Sequence, residues 1–269
     1  MVTVQAHSIW QDSDDVLDRF FALGNQTWPD LEELRAMKFD RSKVPDKVVE
    51  FIRSTALNEY GVGHYTMQYR FMFGEDYKLQ LWSAFWAAEE YNHYVVLRRI
   101  LEAMGEELSA ADRNGVEGIQ AFRDGYTSYY DRIAVPGISR KVQVCTYGVI
   151  QEHAAVVAYN SVCRQLEDPN LIKLLKRIAK DESRHCQFYQ AALEGAVADE
   201  GEEQRAKVWP QFEAFFNDFS MPQEFIDIFD EKEIGTDLYT SFWSDEEKAK
   251  MVLFLTRFFR KFREPAAVA

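Results

Sequence analysis

The sequence predicts an all-α fold, one helical bundle, on three observations. Apolar residues recur at helical spacing along most of the chain, and no stretch of strict alternation competes with them. Only 7 Pro and 13 Gly punctuate 269 residues, too few for the many turns of an all-β protein. Apolar residues make up 47% and the aromatic ones include 20 Phe and 6 Trp, enough to fill one sizeable core with bulky layers.

The elements follow in order. Ser13 is placed to cap a short helix running to about Leu23, and the segment Gly24 to Val44, with Trp28-Pro29, is irregular. Pro45 sits where a helix can begin, and Val48, Val49, Ile52 and Ala56 continue at helical spacing, which predicts a long helix from Asp46 to Phe73. A second long helix is predicted from Asp76 to Met104, with Leu79, Trp82, Trp86, Leu97, Leu101 and Met104 on one stripe. Helical signal from Ala111 to Arg132 breaks at Pro136-Gly137. Helices over Arg140 to Leu166 and Leu171 to Val197 are separated by a turn at Asp168-Pro169-Asn170. Three more stretches follow, at Glu203 to Asp218, Pro222 to Phe229 and Asp245 to Phe262. No linker divides the chain, so a single domain over 1–269 is expected, its core at about 46–200 and its C-terminal helices at 203–262.

Charge and cysteine content narrow the setting. The net charge of −13 argues against a nucleic-acid partner. The cysteines Cys145, Cys163 and Cys186 form no C-x-x-C, which points to a reducing, cytoplasmic setting. No signal peptide is read at the start, and no apolar run is long enough for a membrane span.

An internal repeat carries the chemistry. Ala87 to His93 and Ala179 to His185 both read A-x-[DE]-E-x-x-H. Residues three apart share a helix face, so Glu90 and His93 point one way, as do Glu182 and His185. Steps of three or four from Glu90 meet Trp86, Trp82, Leu97 and Leu101, and the same steps from Glu182 meet Ile178, Leu175 and Tyr189. These ionisable groups interrupt stripes that should face the core, where a carboxylate costs several kcal/mol unless it is paired or metal-bound. Glu59 stands 31 residues ahead of Glu90, and Glu152 stands 30 ahead of Glu182, each on an apolar stripe of its own. The chain thus reads Glu, then Glu-x-x-His, twice. Ferritin-like bundles build dinuclear sites from this set. Four carboxylates balance the charge of two ferrous ions; the set also suits manganese, and the absence of thiolate disfavours structural zinc. The expected metal ligands and catalytic residues are therefore Glu59, Glu90, His93, Glu152, Glu182 and His185, holding two Fe ions per chain.

The words around these ligands resemble the soluble acyl-acyl-carrier-protein desaturases. The resemblance rests on Trp86-Ala87-Ala88-Glu89-Glu90-x-x-His93, Gln151-Glu152, Ile178-Ala179-x-Asp181-Glu182-x-Arg184-His185 and Ser220-Met221-Pro222, and covers about Val44 to Pro222. It implies an O2-dependent di-iron oxidoreductase that abstracts hydrogen from an unactivated C–H bond, with the acyl chain carried on acyl carrier protein. It also implies a ferredoxin-type electron donor, a homodimer, and a place for Asp181 outside the ligands, hydrogen-bonded to His93. Trp28 would stand on the electron path to that pair. The basic groups Arg257, Arg260, Lys261 and Arg263, or Arg98 and Arg99, are the candidates for docking an acidic carrier.

Two positions depart from the family pattern. Asn92 stands where Arg is usual, and Ala155 stands three residues after the third Glu where plant members have Thr. The second departure keeps a hydroxylase or N-oxygenase open as the alternative. A rubrerythrin would carry C-x-x-C pairs, and a ribonucleotide reductase small subunit would carry Tyr where Leu97 stands. A helical scaffold with buried Glu–His pairs would bind no metal.

Overall fold

The computed structural model describes residues 34, 36–108, 130–217 and 240–263. The expected helix from Ser13 to Leu23, Trp28, nearly all of the Ala111 to Arg132 stretch, Ser220-Met221-Pro222 and the Pro222 to Phe229 stretch lie outside the described residues. Among the described residues the regular elements are all helical: a short 3-10 turn at Arg41–Lys43, then α1 (Asp46–Tyr60), α2 (Val62–Met72), α3 (Tyr77–Ala103), α4 (Arg140–Cys163), α5 (Pro169–Glu200), α6 (Glu202–Asn217) and α7 (Asp245–Arg260).

The starts are set by side chains that accept orphan backbone N–H groups. Asp76 accepts from Leu79 N at the head of α3, and Ser139 accepts from Val142 N at the head of α4. Asp168 accepts from Asn170 N and Leu171 N, with Pro169 at the first position of α5, where its missing N–H costs nothing. The Asp168-Pro169-Asn170 stretch is thus both turn and helix start. Ser244 and Glu247 cap α7 reciprocally.

The expected single helix from Asp46 to Phe73 is two helices. Gly61, at φ −70° and ψ −3°, ends α1 and begins α2. A ψ near zero tightens the turn: Gly61 N reaches both Leu57 O and Asn58 O, and His64 N bonds Gly61 O three residues back. Glycine is the residue with least to lose from leaving the regular helix. The break leaves Glu59 in the last turn of α1.

α1 and α2 pack along α3, and α4 packs along α5. α5 meets α3 and α2 meets α4, which closes these two halves around one core. α6 lies against α4 and α5, and α7 against α4 and α6. The centre of the bundle is aromatic. Trp82 stacks on Phe188 at 4.1 Å between centroids and meets Tyr189 edge-on at 4.6 Å. Opposite Tyr189 the chain has Gly148, and a Cβ there would come within 2.5 Å of the Tyr189 ring. Gly148 is what lets α4 and α5 approach around this ring. Gly148→Ala is expected to cost about 1–3 kcal/mol through overpacking, read as a lower urea midpoint.

Candidate metal centre

Five of the ligand candidates sit within the long helices α3, α4 and α5, and Glu59 sits in the last turn of α1. Glu59 comes from α1, Glu90 and His93 from α3, Glu152 from α4, and Glu182 and His185 from α5, and all six are buried. The i, i+3 spacing brings His93 Nδ1 to 3.1 Å from Glu90 Oε2 and His185 Nδ1 to 3.0 Å from Glu182 Oε2. The helices also bring the halves together: His185 Nδ1 lies 2.9 Å from Glu90 Oε1, and His93 Nδ1 lies 3.4 Å from Glu182 Oε1.

The ligand atoms form two overlapping groups. Glu59, Glu90, His93 and Glu182 offer atoms all within 4.8 Å of one another, as do Glu90, Glu152, Glu182 and His185. Glu90 and Glu182 belong to both groups, so the arrangement is two four-donor sites with two shared carboxylates.

The outer nitrogens are held as well. His93 Nε2 lies 3.4 Å from Asp181 Oδ2, the contact expected from the resemblance. His185 Nε2 lies 2.9 Å from Glu89 Oε2, a contact the sequence reading did not assign. Each acid precedes one Glu-x-x-His pair and holds the histidine of the other. Arg184 bridges them, donating to Asp181 Oδ1 at 2.6 Å and to Glu89 Oε1 at 2.5 Å. The signal for Glu89 lay in the repeat, since Glu89 and Asp181 occupy the same motif position. An acidic partner on Nε2 fixes the tautomer that leaves the Nδ1 lone pair facing the carboxylates.

Electrostatics fit a cation pair here. Burial pushes the Glu59 carboxyl well up, and the charge of Glu90 beside it adds to that shift. Burial likewise raises Glu152. Burial alone would raise Glu90 too, but His185 and His93 against it hold it below the usual carboxylate range. Burial opposes charging of His93 and His185, yet Glu182 beside the first and Glu90 beside the second raise both well above an ordinary imidazole. Asp181 is held down at about 2: burial works against it, and His93 and Arg184 outweigh the burial. Without metal, burial favours protons on the Glu59 and Glu152 carboxyls, and the neighbouring carboxylates favour protons on the two imidazoles. Metal binding would displace them, as ligand deprotonation requires. The donor set, four carboxylates and two imidazoles with Nδ1 inward, suits iron or manganese.

A cavity of about 100 Å³ abuts the cluster. Glu59, Glu90, Glu152 and Glu182 form one side of it, and Trp86 and Ala155 are on its wall. Trp86 Nε1 also donates to Glu152 Oε1 at 3.2 Å. Trp82 is core, and of the two tyrosines near His93, Tyr94 is buried while Tyr91 is exposed. His153 points away from the cluster and stacks on Phe254 of α7, ring centroids 3.8 Å apart.

A stretch of 108 residues is 29% identical to proteins named "Putative acyl-(acyl-carrier-protein) desaturase DesA2" from two strains of Mycobacterium tuberculosis. That stretch is 40% of this chain and 36% of each relative, so the match spans about a third of the length of these curated proteins. The family model described as fatty acid desaturase matches residues 3–245. With nearly its whole length matched, the chain belongs to the fatty acid desaturase family.

Proposed function

We propose that the chain is an O2-dependent di-iron oxidoreductase that removes hydrogen from an unactivated C–H bond, in its simplest form desaturating a fatty acyl chain presented on acyl carrier protein. The observation that carries this reading is the pair of donor groups sharing Glu90 and Glu182 beside a cavity. Glu59 and His93 would hold one iron, Glu152 and His185 the other, and Glu90 and Glu182 would serve both. When bound, the metal pair supplies the electrons and Lewis acidity that O2 activation needs.

The rest is done by the chain. The four carboxylates balance the cation charge in a buried site. Asp181 and Glu89 hold the imidazoles with Nδ1 turned inward, and Arg184 keeps both acids in place. Trp86 steadies Glu152. The cavity would bring a substrate carbon to the carboxylate face. A ferredoxin-type protein is the proposed electron donor, and a homodimer the proposed assembly. Among the described residues no helix is long and apolar enough to cross a membrane. Of the basic docking candidates, Arg98 and Arg99 pair with Glu102 on their own helix, and Lys261 pairs with Glu194.

Ala155 favours a second reading. It places a methyl group on the cavity wall where the resemblance expects a hydroxyl, which leaves proton delivery changed and insertion of oxygen, as in a hydroxylase or N-oxygenase, in competition with desaturation. Product analysis separates the two.

Anaerobic reconstitution with ferrous iron, metal counting and then O2 admission test the main reading. About two irons per chain and O2-dependent spectral change are expected for this ligand set. A fully helical protein with no bound iron would overturn it. Asp181→Asn and Glu89→Gln are each expected to lower iron affinity or turnover about 10–100-fold. The measurement is competitive chelation alongside circular dichroism, with helix content unchanged.

A further inference from the structure

The outward face of α5 carries one kind of charge. Lys173, Lys176, Arg177, Lys180 and Arg184 follow one another at steps of three, one, three and four, which places them on one stripe of the helix. Between Pro169 and Phe188 the acids are Asp181 and Glu182, and both are buried. Lys173, Lys176 and Lys180 are exposed and form no ion pair among the described residues. The arginines turn inward: Arg177 Nε lies 3.7 Å from Asp181 Oδ2, and Arg184 donates to Asp181 Oδ1 and Glu89 Oε1.

Such a stripe is out of place in a chain of net charge −13. On other helices, bases answer acids of their own element: Arg98 and Arg99 pair with Glu102, Lys207 with Glu203, and Lys250 with Glu246. On α5 the neighbours three or four residues apart are themselves cations, and like charges at that spacing repel. The stripe works against its own helix, and a negatively charged partner would relieve it.

Its position selects the partner. The stripe ends at Arg184, and Asp181, to which Arg184 donates, lies 3.4 Å from the ligand candidate His93. A partner seated on this face meets the histidine side of the cluster. The cavity meets the carboxylates instead: among the described residues neither histidine, nor Asp181, nor Glu89, nor any residue of the stripe lines it. A partner delivering an acyl chain has to reach the cavity, whereas one delivering electrons has only to come close to a ligand. The stripe spans about 16 Å of helix. A short footprint led by charge suits the small, transient interfaces of electron-transfer proteins.

We propose that the outward face of α5, Lys173, Lys176 and Lys180 together with Arg177 and Arg184, is the docking surface for an acidic electron-donor protein of the ferredoxin class. The lysines steer and seat the donor, and Asp181 and His93 stand between it and the metal site. This rests on the electron supply proposed above, but docking itself needs no metal.

The test is calorimetric binding of an oxidised plant-type ferredoxin and, separately, of an acyl carrier protein to the full-length protein, at low salt and at about 0.15 M salt. Reversing the three lysines together, Lys173→Glu/Lys176→Glu/Lys180→Glu, is expected to lower ferredoxin affinity about tenfold or more at low salt and to flatten its salt dependence. Carrier-protein affinity should stay within twofold. The reversals set acids four residues ahead of Arg177 and Arg184, a favourable pairing, so helix content should be retained by circular dichroism. The milder Lys176→Gln/Lys180→Gln is expected to lose about threefold. Arg257→Glu/Arg260→Glu, on exposed positions of α7, should leave ferredoxin binding within twofold. No ferredoxin binding by the wild type at low salt, an affinity unchanged by the lysine variants, an equal loss in the α7 variant, or a comparable loss of carrier-protein affinity overturns the proposal. Iron loading measured on the same preparations distinguishes failure of this surface from failure of the di-iron reading.

Discussion

Replacing Glu90 with Gln is expected to reduce bound iron from about two per chain to well below one, with O2-dependent turnover lost. The same is expected of Glu182→Gln. Both residues belong to both donor groups, so each substitution strips a ligand from both metals at once. Glu59→Gln and Glu152→Gln are different experiments, because each residue belongs to one group only. Each should leave about one iron per chain, held by the intact group. Metal counting on the four variants distinguishes shared from outer carboxylates, and equal losses in all four would refute the sharing. The metal-free variants carry a second expectation. Glu59 faces Glu90 in a buried setting where its own charge is disfavoured. Removing an ionisable group from such a place relieves strain, so apo Glu59→Gln should melt no lower than apo wild type.

The second large effect lies in the packing. Trp82 is fully buried, with Phe188 parallel to one side of it, Tyr189 at its edge and Trp86 5.9 Å away, one helical turn further along α3. Trp82→Ala removes the largest side chain of this layer, and rigid helices from two halves of the bundle cannot close the gap. A loss of about 3–5 kcal/mol is expected, which in a chain of this size lowers Tm by about 10 °C or more. Differential scanning calorimetry on metal-free protein measures it without interference from ligand binding. Trp82→Phe keeps the stacking partner and should recover more than half of the loss. The two substitutions melting alike would deny that stacking and volume matter here.

Much of this was legible in the sequence, for identifiable reasons. Glu90, His93, Glu182 and His185 stood out because a helical stripe of Trp, Leu and Ile has no place for ionisable groups unless they answer one another. The starts of α3, α4 and α7 were expected at Asp76, Arg140 and Asp245, and they fall at Tyr77, Arg140 and Asp245, because a first turn is set by local side chains whatever surrounds it. What the sequence hid was tertiary. The break at Gly61 keeps an ordinary helical φ and moves only ψ, to −3°, and the glycine that permits it is a weak signal, since a lone glycine is tolerated inside many helices. Glu89 stands beside Glu90 but off its apolar stripe, and so looks like an exposed surface acid. Its contact with His185 exists only because α3 and α5 run side by side.

The crossed ties between the halves have a consequence for assembly. Asp181 on α5 steadies the histidine of α3, Glu89 on α3 steadies the histidine of α5, and Arg184 knots the two acids together. Neither half carries a complete half-site, because each imidazole is aligned by the opposite hairpin. Binding competence should therefore arise in one all-or-none step when the hairpins dock, with no partially competent intermediate. A segment comprising α4 and α5 alone, even if helical, would bring Glu152, Glu182 and His185 to the same register and still leave the imidazole without the carboxylate that orients it.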